Sequence, residues 1–341
     1  MKKIFIALGI IAAIAVAGLG TAFLTGLLPG YFGKPDEITV GVYPEIINAP
    51  LYIADGRGLF RSNGLNVTIR SYDTGLEAGE AMERGEVDIA AMSEYAFAEQ
   101  VCNNTAIAII ANHDESQRFY IISQTDRGIT TISDLKGRAV GVTPRTIPEF
   151  YLGRFLALHD MSVSDVKVVN LNPRQFTDAF RSGKIDAFIA EEPAADELRQ
   201  QNETVTMWPA QGGQPTFNLL AGRKDWIAGH RAVASRFLRS LDAATAFTGS
   251  SPAEAKAIVQ ERLNISPQYI GNVWNQNQFS LSLDQSLVTA MEDESRWMIA
   301  NNMTSATAVP DFRAAIYPDI LESIKPGAVN IIGLASDGRS P

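Results

Sequence analysis

A set of polar side chains is predicted to lie at the carboxyl ends of short β-strands, where open α/β sheets bind their ligands. Their types suit non-covalent recognition. The Arg145 guanidinium can hold an anionic group through two parallel hydrogen bonds, whereas carboxylates at Glu45 and Glu191 suit an amine or a protonatable ring. The candidate ligand-binding residues are Tyr43, Glu45, Asn48, Ser93, Thr143, Arg145, Thr146 and Glu191.

Several of these residues have equally ordinary structural roles. Arg145 could be a solvated loop charge, and Tyr43 could stack on a ligand ring or simply pack within its own part of the fold. Asn48, Ser93 and Thr146 could cap helices instead of donating to a ligand. The sequence leaves these alternatives open.

The acidic residues of the set oppose a simple anion site. Glu94 is a third carboxylate at a strand end beside Glu45 and Glu191. Three carboxylates would repel nitrate unless they are paired or point away. We expect Glu94 to cap a helix or face solvent, which leaves Glu45 and Glu191 as the candidates for holding an amine.

Neither metal chemistry nor nucleophilic catalysis is indicated. Cys102 is the single cysteine, so an intrachain disulfide and a cysteine-rich zinc site are both excluded. His113, His159 and His230 lack metal-ligand spacing. The formal net charge of −9 also argues against a nucleic-acid partner, because phosphate neutralisation needs a basic surface. We therefore expect a protein that is not an enzyme and has no metal and no cofactor.

The elements that would position these residues alternate along the chain. Apolar and β-branched runs predict strands, and amphipathic segments between them predict helices. From residue 223 to Lys325 the pattern is mostly helical, and SPAE at 251–254 reads as a capping box. The predicted strands cover 38–42, 65–73, 87–93, 107–113, 118–124, 138–143, 166–172, 185–192 and 217–223, and the predicted helices include 50–60, 75–85, 147–160, 173–183 and 284–302.

Two segments occur twice in similar form. GEVDIAAMSEYA (85–96) is echoed by GKIDAFIAEEPA (183–194), and VGVYPEI (40–46) by VGVTPRT (140–146). A chain of 341 residues is longer than one core usually supports. The echoes therefore predict two doubly wound α/β lobes, in which Asp88 and Asp186 accept hydrogen bonds from backbone N–H groups.

The N-terminus predicts export. Lys2 and Lys3 precede an uncharged stretch from Ile4 to Gly33, and Ile4–Leu28 is long enough to span a bilayer. The two lysines should stay inside, which places the rest of the chain outside. An uncleaved anchor and a cleavable signal both remain open. No cysteine follows the apolar run, so a lipoprotein anchor is excluded.

Further segments resemble one family of exported binding proteins. PLYIADGRGLFRSNGLNV, GEVDIAAMS, DLKGRAVGV, AFRSGKIDAFIAEEPAA and EDESRWMIANN are similar to recurring segments of ABC-transporter solute-binding proteins of the nitrate/sulfonate/taurine class. The related thiamine-precursor pyrimidine binders share the framework. The likeness covers roughly residues 37–330.

The resemblance implies an α/β fold of the type II periplasmic-binding-protein kind, preceded by the N-terminal apolar helix. Lobe one would comprise 37–124 plus 217–325 and lobe two 125–216, with crossovers near 124–126 and 215–217, a tail at 326–341 and a signal or anchor at 1–36. A small solute would bind between the lobes of a monomer. A permease and its ATPase subunits would be the partners, and the membrane would be contacted through the N-terminal segment.

Two other classes of protein stay open. A pyrimidine-synthase-like enzyme can share the framework, although it would need an intracellular location and placed histidines. A sensor ectodomain would need a partner to carry its output.

Overall fold

Two β-sheets organise the chain. The computed structural model describes residues 34–103, 106–191, 194–195, 198–199 and 204–334. Its strands are β1 (Asp36–Val42), β2 (Leu65–Ser71), β3 (Ile89–Ser93), β4 (Ile107–Ser116), β5 (Phe119–Gln124), β6 (Ala139–Val142), β7 (Lys167–Asn170), β8 (Ala187–Glu191), β9 (Val205–Pro209), β10 (Thr216–Arg223), β11 (Asn277–Asp284) and β12 (Val329–Asn330).

The described strands form one sheet in each lobe. The seven-stranded sheet has the order β12-β11-β4-β10-β3-β1-β2, and the five-stranded sheet has the order β7-β6-β8-β5-β9. β1 runs parallel to β2 and β3, as β6 runs parallel to β7 and β8. One antiparallel strand then follows in each sheet, β10 beside β3 and β5 beside β8. The VGV echo therefore marks the same strand of two similar sheets.

Helices cover these sheets and connect their parallel strands. The described α-helices include α1 (Ala49–Gly56), α2 (Leu59–Ser62), α3 (Gly75–Glu83), α4 (Glu94–Asn103), α5 (Ile147–Leu158), α6 (Phe176–Arg181), α7 (Lys224–Gly229), α8 (Arg231–Ser250), α9 (Pro252–Leu263), α10 (Pro267–Val273), α11 (Gln285–Ala300) and α12 (Pro318–Ile324).

The paired aspartates perform the predicted structural role. The Thr39 N–H donates to Asp88 Oδ2 at 2.7 Å, and the Asp88 N–H donates to the Thr39 carbonyl at 2.8 Å. In the other lobe the Ala139 N–H donates to Asp186 Oδ2 at 2.9 Å, with the reciprocal bond at 2.7 Å. Each carboxylate thus ties the start of β3 or β8 to the neighbouring parallel strand, β1 or β6.

Two local predictions were wrong. The helix predicted for 50–60 is two helices, because Gly58 adopts a φ of 67° between α1 and α2. Ser251 makes no side-chain cap bond at the start of α9, so the capping box is absent. The region after β10 is mostly helical, as predicted, and it also contains β11, which pairs antiparallel with β4.

The first crossover lies earlier than the sequence suggested. β5 was assigned to lobe one, but it pairs with β8 and β9 of the second sheet. The chain therefore passes between the sheets at Gln117 and Arg118, after β4 ends at Ser116. It returns between the end of β9 at Pro209 and the start of β10 at Thr216.

An apolar seam joins the lobes outside the cavity lining. Phe150 of α5 packs edge-on against Trp297 of α11 at 5.6 Å between ring centroids, and Tyr95 of α4 lies 6.3 Å from the same indole. A Cβ added at Gly153 would lie 2.7 Å from Trp297 Cζ2, so α5 and α11 are in close contact there. Leu287 and Met291 of α11 are buried, whereas Trp297 is half-buried.

The predicted anchor at residues 4–28 lies outside the described residues. Within the part of the chain that the structure describes, no helix is long and apolar enough to cross a membrane.

Candidate ligand-binding cleft

A cavity of about 460 Å³ lies between the two lobes. Its walls come from the carboxyl ends of β1, β3, β6 and β8 and from the amino ends of α3 and α5. Carboxyl ends of parallel strands point to the same edge of each sheet, so the two edges face each other across the cavity. The lining includes apolar side chains such as Ile47, Leu76, Met92, Ile147 and Ile189.

Most of the predicted residues meet at this cavity. Those that line it are Tyr43, Glu45, Ser93, Thr143, Thr146 and Glu191. Two hydroxyls also make local bonds: Ser93 Oγ accepts from the Ala96 N–H at 3.3 Å, and Thr146 Oγ1 donates to the Thr143 carbonyl at 2.7 Å. The capping role considered for Ser93 is therefore present beside its cavity position.

Asn48 lies behind the cavity wall. It is buried, its Nδ2 donates to the Tyr43 carbonyl at 2.7 Å, and its Oδ1 lies 3.0 Å from His113 Nε2. Asn48 therefore supports the Tyr43–Glu45 loop from behind. The sequence predicted a ligand-binding position for Asn48, but Asn48 is not among the residues that line the cavity.

Arg145 is also absent from the cavity lining. Its guanidinium lies 3.0–3.2 Å from the carboxylate oxygens of Glu99, and Nη1 lies 3.2 Å from Glu80 Oε1. The residue lines a neighbouring cavity of about 380 Å³ instead. Arg145 was expected to bind an anionic ligand, but its guanidinium pairs with Glu80 and Glu99 of the opposite lobe.

Glu94 does not face solvent, which was one of its two expected positions, and it does not line the cavity. It is fully buried at the first position of α4 and interacts with the buried Glu294 of α11. Burial raises the pKa of Glu94 to about 8. Burial together with the Glu94 charge raises the pKa of Glu294 well above its usual range.

Arg118 is the most informative residue that the sequence analysis missed. Its side chain is 1% exposed at the crossover, donates from Nη2 to Glu191 Oε2, and lies 3.7 Å from Glu45 Oε1. Glu45 belongs to lobe one and Glu191 to lobe two, so this guanidinium links both lobes at the cavity edge. No motif marks Arg118, because its position follows from the crossover that the sequence placed too late.

The surroundings of Glu45, including Arg118 and Glu191, shift the pKa of its carboxyl group. Burial raises the pKa of Glu45 to about 7, the Arg118 charge opposes the rise, and the Glu191 charge adds to it. Tyr269 Oη donates to Glu45 Oε1 at 3.3 Å. Glu45 is therefore poised to gain or lose a proton near neutral pH.

A second missed arginine borders the cavity. Arg174 pairs with Asp73 across the cleft, and its side chain is 75% exposed. Among the described residues that line the cavity, Arg174 is the sole basic one. Further lining residues that were not predicted are Tyr72, Ser116, Phe119, Phe176, Thr177, Thr216 and Asn218.

This arrangement suits reversible binding. The lining offers carboxylates for donor groups, hydroxyls that can donate or accept, and aromatic faces. His113 is buried beside Asn48 and is not among the lining residues, and burial lowers its pKa to about 4. No group of three metal-ligating side chains occurs among the described residues.

Curated relatives match most of the chain at low identity. A putative thiamine biosynthesis protein of Haemophilus influenzae is 25% identical over 244 residues, covering 69% of this chain and 76% of that protein. The taurine-binding periplasmic protein of Escherichia coli is 24% identical over 212 residues, covering 61% of this chain and 65% of that protein.

Solved structures share the fold. The alkanesulfonate-binding protein SsuA from Xanthomonas axonopodis pv. citri, bound to MOPS, superposes with a TM-score of 0.74 at 15% identity, covering 84% of this chain and 99% of that one. A Candida albicans protein described as having the generic periplasmic binding protein fold gives 0.68 at 16% identity, with coverages of 82% and 96%. The desulfurization enzyme DSZB gives 0.61 at 14% identity, with coverages of 85% and 98%.

These likenesses confirm the α/β periplasmic-binding-protein-like fold. A family model adds sequence support, since the model described as NMT1/THI5 like matches residues 47–255. The match spans more than half of the sequence and includes most of the cavity lining. The chain belongs to the NMT1/THI5-like family.

Proposed function

We propose that the protein is the extracytoplasmic solute-binding component of an ABC importer, which captures a small anionic or zwitterionic solute and delivers it to a permease. The observation that carries the proposal is the cavity between two similar lobes, lined by strand ends of both. Relatives described as taurine-binding and alkanesulfonate-binding support it. Binding requires no bond-making chemistry, and closure follows from tighter binding to the closed form.

The cavity offers separate places for opposite charges. The amino ends of α3 and α5 line one part, and helix amino ends favour anions through free N–H groups and the helix dipole. Arg174 can add a cation by leaving Asp73, because an exposed ion pair is weak. Glu45 and Glu191 suit an amine. A zwitterion such as an aminosulfonate uses both places.

A thiamine-precursor pyrimidine is the second candidate solute. The aromatic side chains of Tyr43, Phe119 and Phe176 line the cavity and favour a planar ring. A Glu45 carboxyl with a pKa near 7 can pair with a ring nitrogen or an exocyclic amine in either protonation state. An enzyme of the pyrimidine-synthase kind is disfavoured, because His113 is not in the cavity lining.

A thermal-shift screen tests solute capture. We expect a compound among nitrate, alkanesulfonates, taurine and aminopyrimidines to raise the melting temperature in proportion to RT ln(1 + [L]/Kd). Glu45→Gln should weaken zwitterionic or ring solutes while sparing simple anions. Glu261→Gln, on an exposed surface of lobe one, is the matched control. A panel in which nothing stabilises the protein at saturating concentrations would contradict the proposal.

Export and attachment belong to the same proposal. We infer that residues 4–28 hold the binding lobes at the outer face of the cytoplasmic membrane or are removed after export. Intact-mass measurement of the native protein separates the two outcomes. A mature start after Gly20 means a released binder, and a full-length chain means an anchored one.

A further inference from the structure

Arg145 joins the lobes outside the cavity. The residue lies between β6 and α5 in lobe two, whereas Glu80 of α3 and Glu99 of α4 belong to lobe one. Nε and Nη2 of Arg145 both contact Glu99, and Nη1 contacts Glu80, all at 3.0–3.2 Å. Such a multidentate contact fixes the relative position of two surfaces better than a single charge pair does.

The backbone of Arg145 is held for this contact. Its φ of 60° lies in the left-handed region, which costs a residue with a side chain more than it costs glycine. The Arg145 N–H donates to Glu149 Oε2 at 2.7 Å, which holds this turn to the first turn of α5. The bond to Glu149 holds the backbone in this costly conformation, which directs the Arg145 side chain toward Glu80 and Glu99.

The partners of Arg145 make it a poor ligand anchor. Glu99 is only 9% exposed, so withdrawing the guanidinium would leave a nearly buried carboxylate unpaired. Arg174 differs on this point, because its partner Asp73 is 36% exposed and both residues border the cavity. Of Arg145 and Arg174, Arg145 is therefore the one whose pairing with the opposite lobe is costly to break.

We propose that Arg145 is a positioning residue that latches the two lobes together, so that it sets how long any solute stays in the cavity without contacting the solute. The expected effect on the residence time of a solute rests on the proposed function, because it requires that a solute binds in the cavity. The latch itself is a property of the chain and can be measured without a solute. Opening the cleft must break the contacts with Glu80 and Glu99 and expose the charge of Glu99.

The test compares two arginines of equal exposure. Arg145 is 54% exposed and pairs across the cleft, whereas Arg296 is 55% exposed and pairs with Glu292 and Asp293 on its own helix. Spin labels at Lys136→Cys and Glu261→Cys, in a Cys102→Ala background, report the distance between the lobes. We expect Arg145→Ala to shift the distribution to longer distances without added solute, and Arg296→Ala to leave it unchanged.

Binding kinetics provide the second measurement. For a solute found in the thermal-shift screen, Arg145→Ala should raise the dissociation rate about three- to tenfold, as expected for losing a partly exposed ion-pair network. The factor should be the same for neutral, anionic and zwitterionic solutes, and Arg145→Lys should restore part of it. Loss of anionic solutes alone would assign Arg145 to the ligand and overturn the proposal.

The distance between the lobes tests the latch independently of the proposed function. An unchanged distance distribution in Arg145→Ala overturns the latch whether or not a solute is found. A shifted distribution in a protein that binds none of the solutes supports the latch and contradicts solute capture.

Discussion

At the scale of single residues, side chains of one chemical type divide between structural and ligand-facing roles according to their surroundings. Asp88 and Asp186 accept backbone N–H groups in equivalent places of the two sheets. Glu45 and Glu191 border the cavity, where Arg118 holds them together. The aspartates were predictable because their donors lie on the neighbouring strand of the same sheet. The Arg118 cluster required residues from three distant parts of the chain.

The first prediction concerns the aspartate ties. Asp88→Ala should lower the free energy of unfolding by about 1–3 kcal/mol, because it leaves the partly buried Thr39 N–H without its acceptor. Asp186→Ala should cost a similar amount through Ala139. Urea unfolding measures both. Asp126→Ala, at an exposed position of lobe two, is the control and should change stability little. Equal stabilities for all three variants would contradict the structural role.

The second prediction concerns Arg118. Arg118→Leu should destabilise the protein by about 3–5 kcal/mol near pH 8, because it leaves Glu45 and Glu191 without their shared cation. The loss should be smaller near pH 5, where Glu45 is protonated and carries no charge. Urea unfolding at the two pH values measures it. Arg296→Ala, which removes exposed pairs, should show no such pH dependence. An equal loss at both pH values would mean that packing, rather than charge, is what Arg118 supplies.

At the scale of elements, helix contacts connect the C-terminal part of the chain to the binding lobes. α11 packs against α4 through the buried Glu94 and Glu294, and against α5 through Trp297 and Gly153. The pattern of 284–302 predicted a helix correctly but could not indicate that a glutamate on it would be buried. A glutamate normally marks the solvent face of a helix.

The third prediction is the pH dependence of this helix contact. An acid whose pKa is raised by folding keeps its proton in the native state while the unfolded chain has released it. Stability should therefore fall as the pH rises from about 4.5, the ordinary glutamate value, to about 8, the value of Glu94. Glu294→Gln should flatten this decline and stabilise the protein at pH 8. Thermal unfolding between pH 5 and 8 measures it, with Glu292→Gln on the exposed side of α11 as control. A decline as steep in Glu294→Gln as in the parent protein would contradict this account.

At the scale of the whole molecule, two crossovers and one apolar seam control how the lobes can move. The chain passes between the sheets at Gln117 and Arg118 and again between Pro209 and Thr216. The seam of Tyr95, Phe150 and Trp297 joins the lobes, and Arg145 also reaches across outside the cavity. Opening the cleft by a rotation about the crossovers would have to break the contacts of Arg145 with Glu80 and Glu99.

The fourth prediction follows from that geometry. Adding a confirmed solute should lower the radius of gyration measured by small-angle scattering, because binding favours the closed arrangement. A compound from the same panel that gives no thermal shift is the control. An unchanged radius at saturation would indicate a rigid scaffold rather than a transport receptor.

The sequence alone determined the repeated architecture and most of the cavity wall. Hydrophobic periodicity and the two echoes are local signals, and strand ends gather at one edge of a parallel sheet whatever the details. For that reason Tyr43, Glu45, Ser93, Thr143, Thr146 and Glu191 were predicted and line the cavity.

Tertiary structure decided the partners of the charges. Arg145 was expected to bind an anion from its place in VGVTPRT, but helices of the other lobe present Glu80 and Glu99 to it. Arg118 lacked any motif and became central because the crossover places it between Glu45 and Glu191. Pairing between charges depends on distances of a few ångströms between segments far apart in sequence, and no local pattern encodes those distances.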